Sequence, residues 1–469
     1  MIMGAFHAYD IRGRWGVDFD ADIVYKVGFF LPELLACRKV AVGRDMRLSS
    51  PEIHEALLRG LTDAGADVFD LGLATTPYVY YATAAKGFKA SVQITASHNP
   101  KDDNGLKVSR ENALPVGYDT GLGTIERWIA EDRPCDPVSQ ERRGKVYPLD
   151  LREEYLAFQR RYVGDLSDLH ICADLSNGVS SLFVKELLPS SVEYICDALN
   201  GSFPCHEPNP LIPENTRMLR EYVKSHGCDI GVIYDGDADR VMFVDERGEF
   251  ISPDLMIALM GHFFMEGTGT SPAARERLAL KSAGQIAEVR ALQDIRSSKA
   301  VGEYLSPMGV QMHTWRVGRA YAAPKLREID GLFGGELAGH YYFKDFFYSD
   351  SGIMASLIIL DIVAEMKRRG KSLSQLVAGI SKYCNSGEIN FKVQDKPAAM
   401  EAVRSYFISL ESPTAVMDFD GYRVEFPQWW FNIRPSNTEP YLRFICEASS
   451  RELLADKVAQ AREIIGRFE

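Results

Sequence analysis

Asp235, Asp237 and Asp239 alternate in Asp235-Gly236-Asp237-Ala238-Asp239-Arg240, directly after the apolar run Asp229–Tyr234. In an extended loop that alternation turns three carboxylates toward one point, where they repel unless a hard cation such as Mg²⁺ joins them. Other chemistries compete for the same residues. An EF-hand would take Glu246 as its twelfth position counted from Asp235, but the sixth is Arg240 rather than glycine and both flanks read as strands. An aspartyl-phosphate phosphatase also sets D-x-D after an apolar strand, usually with Thr or Val where this chain has Asp239. A solvated acidic turn needs no ligand at all.

Three further polar loops follow apolar runs. Ser91–Thr95 leads into Ala96-Ser97-His98-Asn99-Pro100, a nucleophile beside an imidazole, although a Ser/Asn turn stopped by Pro100 explains the same residues. No G-x-S-x-G elbow occurs, which argues against an α/β-hydrolase. Leu332-Phe333 leads into Gly334-Gly335-Glu336-Leu337-Ala338-Gly339-His340. The glycines let a ligand approach the backbone, and Glu336 can accept from two neighbouring sugar hydroxyls or simply face water. Phe431–Ile433 leads into Arg434-Pro435-Ser436-Asn437-Thr438-Glu439-Pro440. That loop offers a guanidinium, hydroxyls, an amide and turn N–H groups to a phosphate, or else a helix N-cap with Glu439 in the first turn. His340 alone reads as structural, Lys107 in Asn104-Gly105-Leu106-Lys107 as a surface lysine, and Trp429-Trp430 and Tyr341-Tyr342-Phe343 as packing.

The elements that must position these loops are short. Val40–Gly43, Ala66–Leu71, Ser91–Thr95, Leu169–Asp174 and Asp229–Tyr234 are unalternated strand-length runs, and amphipathic stretches such as Pro51–Ala64 lie between them. That alternation is α/β architecture, in which ligands bind at the carboxyl ends of strands, so the four loops can converge on one cleft. Past the turn Asn385-Ser386-Gly387 the pattern changes: Glu388–Val393, Ala415–Phe426 and Tyr441–Cys446 read as strands and Arg451–Phe468 as a helix, an α+β domain.

At 469 residues the chain has room for three or four domains of about 150 residues or fewer. Its net charge of −12, with no basic tail, argues against nucleic acid and anionic membranes as partners. The longest apolar stretch, Ile353–Met366, is broken by Asp361, and Asp10 and Arg12 stand where a signal peptide would need an apolar core. Eight single cysteines lack C-x-x-C or zinc-ligand spacing and read as small core residues of a cytoplasmic protein.

Together the loops resemble the α-D-phosphohexomutase family, most closely its bacterial phosphomannomutase/phosphoglucomutase group. The resemblance runs in order through Tyr9-Asp10-Ile11-Arg12-Gly13, Val42-Gly43-Arg44-Asp45, Thr95–Pro100, Asp235–Arg240, Gly335–His340 and Arg434–Pro440. It implies a four-domain, heart-shaped enzyme, three α/β domains and a C-terminal α+β domain, divided here at 1–147, 148–250, 251–382 and 383–469. It further implies that Ser97 is carried as phosphoserine, with Asp235, Asp237 and Asp239 holding Mg²⁺ against it. Tyr9, Arg12, His98, Lys107 and Arg240 would surround the transfer centre, His98 or Lys107 serving as base; the lysine would need its pKa lowered by nearby cations. Glu336 and Ala338 would face the sugar, and Arg296, Arg319, Arg434, Ser436, Asn437, Thr438 and Arg443 would complete the substrate site.

The implied activity is transfer of a phosphoryl group between C1 and C6 of mannose or glucose phosphate, with the hexose 1,6-bisphosphate as intermediate and activator. This chain departs from its relatives at three places: Gly318-Arg319-Ala320 where they usually read Gly-His-Ala or Gly-His-Ser, Arg296 where some carry Lys, and Ala338 where many carry Ser. Asn437 fits the mannose/glucose mutases rather than the glucosamine enzymes, which usually have Gly there. A phosphatase with Asp235 as nucleophile and a silent sugar-phosphate binder are the alternative readings.

Overall fold

Val40, Ala41, Val42, Val92 and Ile94 lose all contact with solvent because their strands lie mid-sheet. The computed structural model describes residues 4–286, 288–436 and 441–469. The first sheet runs in the order Ile11–Arg14, Asp103–Arg110, Ala90–Ile94, Lys39–Arg44, Asp67–Leu73, Val146–Pro148. Its last four strands are parallel, and the first two join antiparallel at the edge. The helix expected over Pro51–Ala64 spans Ser50–Asp63, with Pro51 in its first turn, where a missing N–H costs nothing.

The second sheet orders Phe250–Ile251, Val241–Asp245, Ile230–Tyr234, Ile171–Asp174 and Glu193–Ile195. The third orders Val310–Trp315, Val289–Asp294, Phe333–Gly335, Tyr341–Phe343 and Ser349–Asp350. The fourth is antiparallel around Leu442–Ala448 and Trp429–Pro435, with Arg451–Ile465 packed on it. Four sheets in chain order, the last antiparallel, give the four-domain α/β architecture.

One hydrophobic cluster joins Tyr78 to Tyr155, Phe183, Phe264, Phe333 and Ile358, so the second and third units share a core that also reaches the first. The apolar stretch around Asp361 is the buried helix Gly352–Arg368. Asp361 is paid no penalty for its burial, since it accepts from Thr270 N at 2.7 Å and Ser271 N at 3.0 Å. Among the described residues no helix is long and apolar enough to cross a membrane.

Two elements differ from the sequence reading. Ala415–Phe426 is a hairpin of Ala415–Met417 and Tyr422–Glu425, turned at Gly421 with φ 67°. The strand expected to end at Ile433 continues through Pro435, so Arg434 projects from a strand rather than a loop.

Candidate active site

The chain leaves Ala90–Ile94 through a turn in which Ser97 takes φ 51°, a left-handed conformation that a non-glycine residue holds only when its surroundings impose it. Arg47 is what imposes it. Its guanidinium, 1% exposed, donates to Ser97 O at 2.9 Å, Asn99 O at 2.7 Å, Pro100 O at 2.6 Å and Asp103 O at 2.9 Å. Asp45 pairs with Arg47 at 3.2 Å and accepts from Thr95 Oγ1 at 2.7 Å. Arg47 had no signal in the sequence, because its four acceptors lie about fifty residues further along the chain.

The acidic loop leaves Ile230–Tyr234 opposite this turn. Gly236 is required there, since a Cβ would sit 2.6 Å from Ser97 O. Ser97 Oγ donates to Asp235 Oδ2 at 2.7 Å, and Thr76 at the start of a first-domain helix donates both N–H and hydroxyl to Asp237. Asp235, Asp237 and Asp239 offer oxygens within 4.8 Å of one another, all buried. Burial, together with Asp237 and Asp239, holds the Asp235 carboxyl well above the usual range. Asp237 Oδ1 and Asp239 Oδ1 are buried without a hydrogen-bond partner. Convergent hard oxygens with unspent lone pairs fit a divalent cation such as Mg²⁺.

Lys107 is not a surface lysine. Its ammonium lies 2.6 Å from Asp237 Oδ2 and 2.5 Å from Asp239 Oδ2. Burial pulls its pKa down, but the two carboxylates outweigh burial and raise it, the reverse of the lowering a base at this position requires. His98 moves the other way: burial first, then Arg240, Arg12 and Lys107, hold it well below 6.5, and its Nδ1 has no partner. Arg12 pairs with Asp10 at 2.5 Å and donates to Asn99 Oδ1 at 3.1 Å, while Tyr9 donates to Val317 O at 3.0 Å across to the third domain.

That domain delivers its own loop between Phe333–Gly335 and Tyr341–Phe343. Glu336 is buried, accepting from Tyr342 Oη at 2.6 Å and Gly318 N at 3.2 Å, and burial raises its pKa. Tyr342 therefore does more than pack. Ala338 sits in the turn closed by Gly339 N donating to Glu336 O at 3.0 Å. His340 takes its place by bonding Asp350 Oδ2 at 2.7 Å through Nδ1 and accepting from Arg240 Nε at 2.9 Å through Nε2, so it orients Arg240.

Arg319 begins the helix Arg319–Glu328. It donates to Asp350 Oδ1 at 2.9 Å and Ala113 O at 2.6 Å and lies over the Tyr80 ring at 3.8 Å, tying the third domain to the first.

The third and fourth domains together add a cluster of arginines paired with carboxylates. Arg296 and Arg443 flank Glu388, at 3.5 Å and 2.6 Å, and Arg434 lies 3.5 Å from Asp420 on the hairpin turn. Burial and then the nearby Arg296 charge lower the Arg434 pKa, and its Nε and Nη1 are buried without hydrogen bonds, which is what an anion would supply. Ser436 N donates to Tyr441 O at 2.9 Å; Asn437 and Thr438 lie outside the described residues.

Serine turn, acidic loop and Glu336 loop come from three successive domains, the arginines from the third and fourth, and family models match the chain domain by domain. Family models described as phosphoglucomutase/phosphomannomutase α/β/α domains I, II and III match residues 3–134, 154–248 and 273–383, and the C-terminal domain of the same family matches 388–464. A phosphomannomutase of Salmonella montevideo is 34% identical over 471 residues, covering 98% of both chains. Phosphohexose mutases of Xanthomonas campestris pv. campestris are 36% identical over 467 residues, again covering 98% of both. The crystal structure of a phosphoglucomutase/phosphomannomutase family protein from Burkholderia thailandensis superposes with a TM-score of 0.83 at 27% identity, covering 99% of this chain and 98% of that one. The chain belongs to the phosphoglucomutase/phosphomannomutase family of intramolecular phosphotransferases.

Proposed function

We propose that the protein moves a phosphoryl group between O1 and O6 of mannose or glucose phosphate in the cytoplasm, with Ser97 as its carrier and the hexose 1,6-bisphosphate as intermediate. The observation that carries this reading is the Ser97 hydroxyl, buried in an imposed left-handed turn and 2.7 Å from Asp235 within a triad of carboxylates. Mg²⁺ bound by Asp235, Asp237 and Asp239 would offset the charge of a phosphoserine there. In the forward half the Ser97 O–P bond breaks as the sugar hydroxyl's O–P bond forms. His98, held neutral, takes the hydroxyl proton and returns it in the reverse direction. Lys107, Arg12 and Arg240 neutralise charge gathering on the transferring group, where positioning and electrostatics do most of the work.

Glu336, anchored by Tyr342, accepts from sugar hydroxyls. Ala338 presents no hydroxyl of its own, and Tyr9 closes the sugar's other side. Arg434, Arg296, Arg443 and Ser436, with Asn437 and Thr438, hold the phosphate that does not react, so the bisphosphate can turn end for end and return its second group to Ser97. Arg319 acts through Asp350, which it shares with His340, and not by touching substrate.

The test is conversion of glucose 1-phosphate and mannose 1-phosphate to their 6-phosphates, with Mg²⁺ and a trace of bisphosphate, while free phosphate is followed. Ser97→Ala is expected to lower conversion by roughly 10³-fold or more, the scale of losing a covalent carrier. Phosphate release by both proteins would instead identify an Asp235 phosphatase, and binding without turnover a silent binder.

A further inference from the structure

Asp174 ends the strand Ile171–Asp174, and the loop after it underlies the acidic loop. Ser176 Oγ donates to Tyr234 O at 2.5 Å, and Val179 N donates to Gly236 O at 3.1 Å. On the far side of that loop a second set of donors meets, unused by the phosphoryl-transfer chemistry. Asp174, Cys196 and His206 bring an oxygen, a sulfur and a ring nitrogen within 4.8 Å of one another. The Asp174 side chain is fully buried and that of His206 is 7% exposed. Cys205, which precedes His206 in the chain, interacts with the Cys196 thiol and is exposed rather than a core residue.

The bonding around His206 leaves a place for a cation. Its Nδ1 lies 2.9 Å from Glu207 O, and a carbonyl only accepts, so Nδ1 carries a hydrogen. The Nε2 atom then faces Asp174 Oδ2 at 3.0 Å. Two lone-pair atoms at that distance need either a second proton or a metal ion between them. The hydrogen bond from Nδ1 to a carbonyl is the arrangement that orients a metal-ligating imidazole, and Asp174 Oδ1 is likewise fixed by Ser176 N at 2.9 Å. Burial and the neighbouring Asp174 push the Cys196 thiol up.

We propose that Asp174, Cys196, Cys205 and His206 form a zinc site that braces the floor of the acidic loop. One imidazole, one carboxylate and two thiolates suit borderline-soft Zn²⁺ and not Mg²⁺, which prefers oxygen. Ligand atoms of a tetrahedral zinc stand about 3.5 Å apart, so Asp174, Cys196 and His206, within 4.8 Å of one another, must draw in while Cys205 swings over from beside Cys196. Zinc takes thiolate and neutral-imidazole ligands, so binding displaces protons and affinity weakens as pH falls.

The probe is Co²⁺, titrated into the freshly reduced full-length protein with Mg²⁺ present to fill the acidic loop. One equivalent is expected to produce thiolate-to-cobalt charge-transfer absorption in the near ultraviolet, which an all-oxygen site cannot give, and Zn²⁺ should abolish it. Cys196→Ser and His206→Ala should lose the band. Cys205→Ser, at an exposed position that leaves folding intact, should weaken it. Zn²⁺ should raise the Tm of the wild type more than that of Cys205→Ser. No band, a band that survives in all three variants, or consumption of both thiols as a Cys196–Cys205 disulfide in place of metal binding would overturn the proposal.

Discussion

At the scale of single residues, the serine turn is held by partners that sequence proximity does not supply. Arg47→Met would strip four carbonyl oxygens of their donor and leave Asp45 buried without its cation, a loss of about 3–5 kcal/mol measured by denaturant unfolding. Unfolding within about 1 kcal/mol of wild type would refute that account of the serine turn. His98 yields a pH prediction. Its pKa is depressed below 6.5 in the folded chain, so between the depressed value and 6.5 the unfolded chain binds a proton that the folded chain refuses. Its contribution is complete above pH 6.5 and is lost as pH falls below it. Urea unfolding of wild type and His98→Gln should show their stability difference shifting against wild type between pH 7.5 and 5.5 (about one unit either side of 6.5). A difference independent of pH would contradict a buried neutral imidazole.

At the scale of elements, each strand end delivers a loop, and neighbouring domains stitch those loops together. Val241 N donates to Gly339 O at 3.2 Å, and Gly352 N donates to Ala238 O at 3.1 Å, so the acidic and Glu336 loops move as one. Gly352 allows this contact, because a Cβ there would meet Arg240 O at 2.6 Å. Arg319 performs the same service between the first and third domains. Arg319→Ala orphans Ala113 O and one oxygen of Asp350, at a cost of about 3 kcal/mol. The expected readout is faster hydrogen exchange at Glu111–Ala113 and in the helix Arg319–Glu328, with KM raised through the disturbed His340 and Arg240. Unchanged exchange at both segments would show that the domains are joined by other contacts.

For the whole molecule, the shared core and the charged cleft are separable. Of the acidic loop, the hydrophobic cluster spanning the first three domains includes Ala238 and none of the three aspartates. Desalting into Mg²⁺-free buffer should therefore abolish turnover while leaving cooperative unfolding in place, with Mg²⁺ restoring activity. Loss of the folded signal by circular dichroism on Mg²⁺ removal would show instead that the triad's repulsion governs the fold. In a chain of net charge −12, Arg296, Arg434 and Arg443 gather at one place, where Asp294, Glu388 and Asp420 pair with them.

What the sequence determined alone was local. Unalternated Val/Ile runs followed by Gly-, Pro- and Ser-marked turns specify strands with polar loops at their carboxyl ends. The spacing of Asp235, Asp237 and Asp239 specifies a shared point for their oxygens, since period and turn chemistry act within a few residues. Pairings across long separations came only from the tertiary structure. Lys107 joins the acidic loop because Asp237 and Asp239 reach it from 130 and 132 residues away. His340 and Tyr342 acquire roles only through Arg240, Asp350 and Glu336. Arg319 becomes an interdomain tie, and scattered cysteines with no ligand spacing meet a histidine and an aspartate. Such contacts depend on how sheets pack and on which groups burial leaves no solvent to satisfy, quantities that no window of sequence contains.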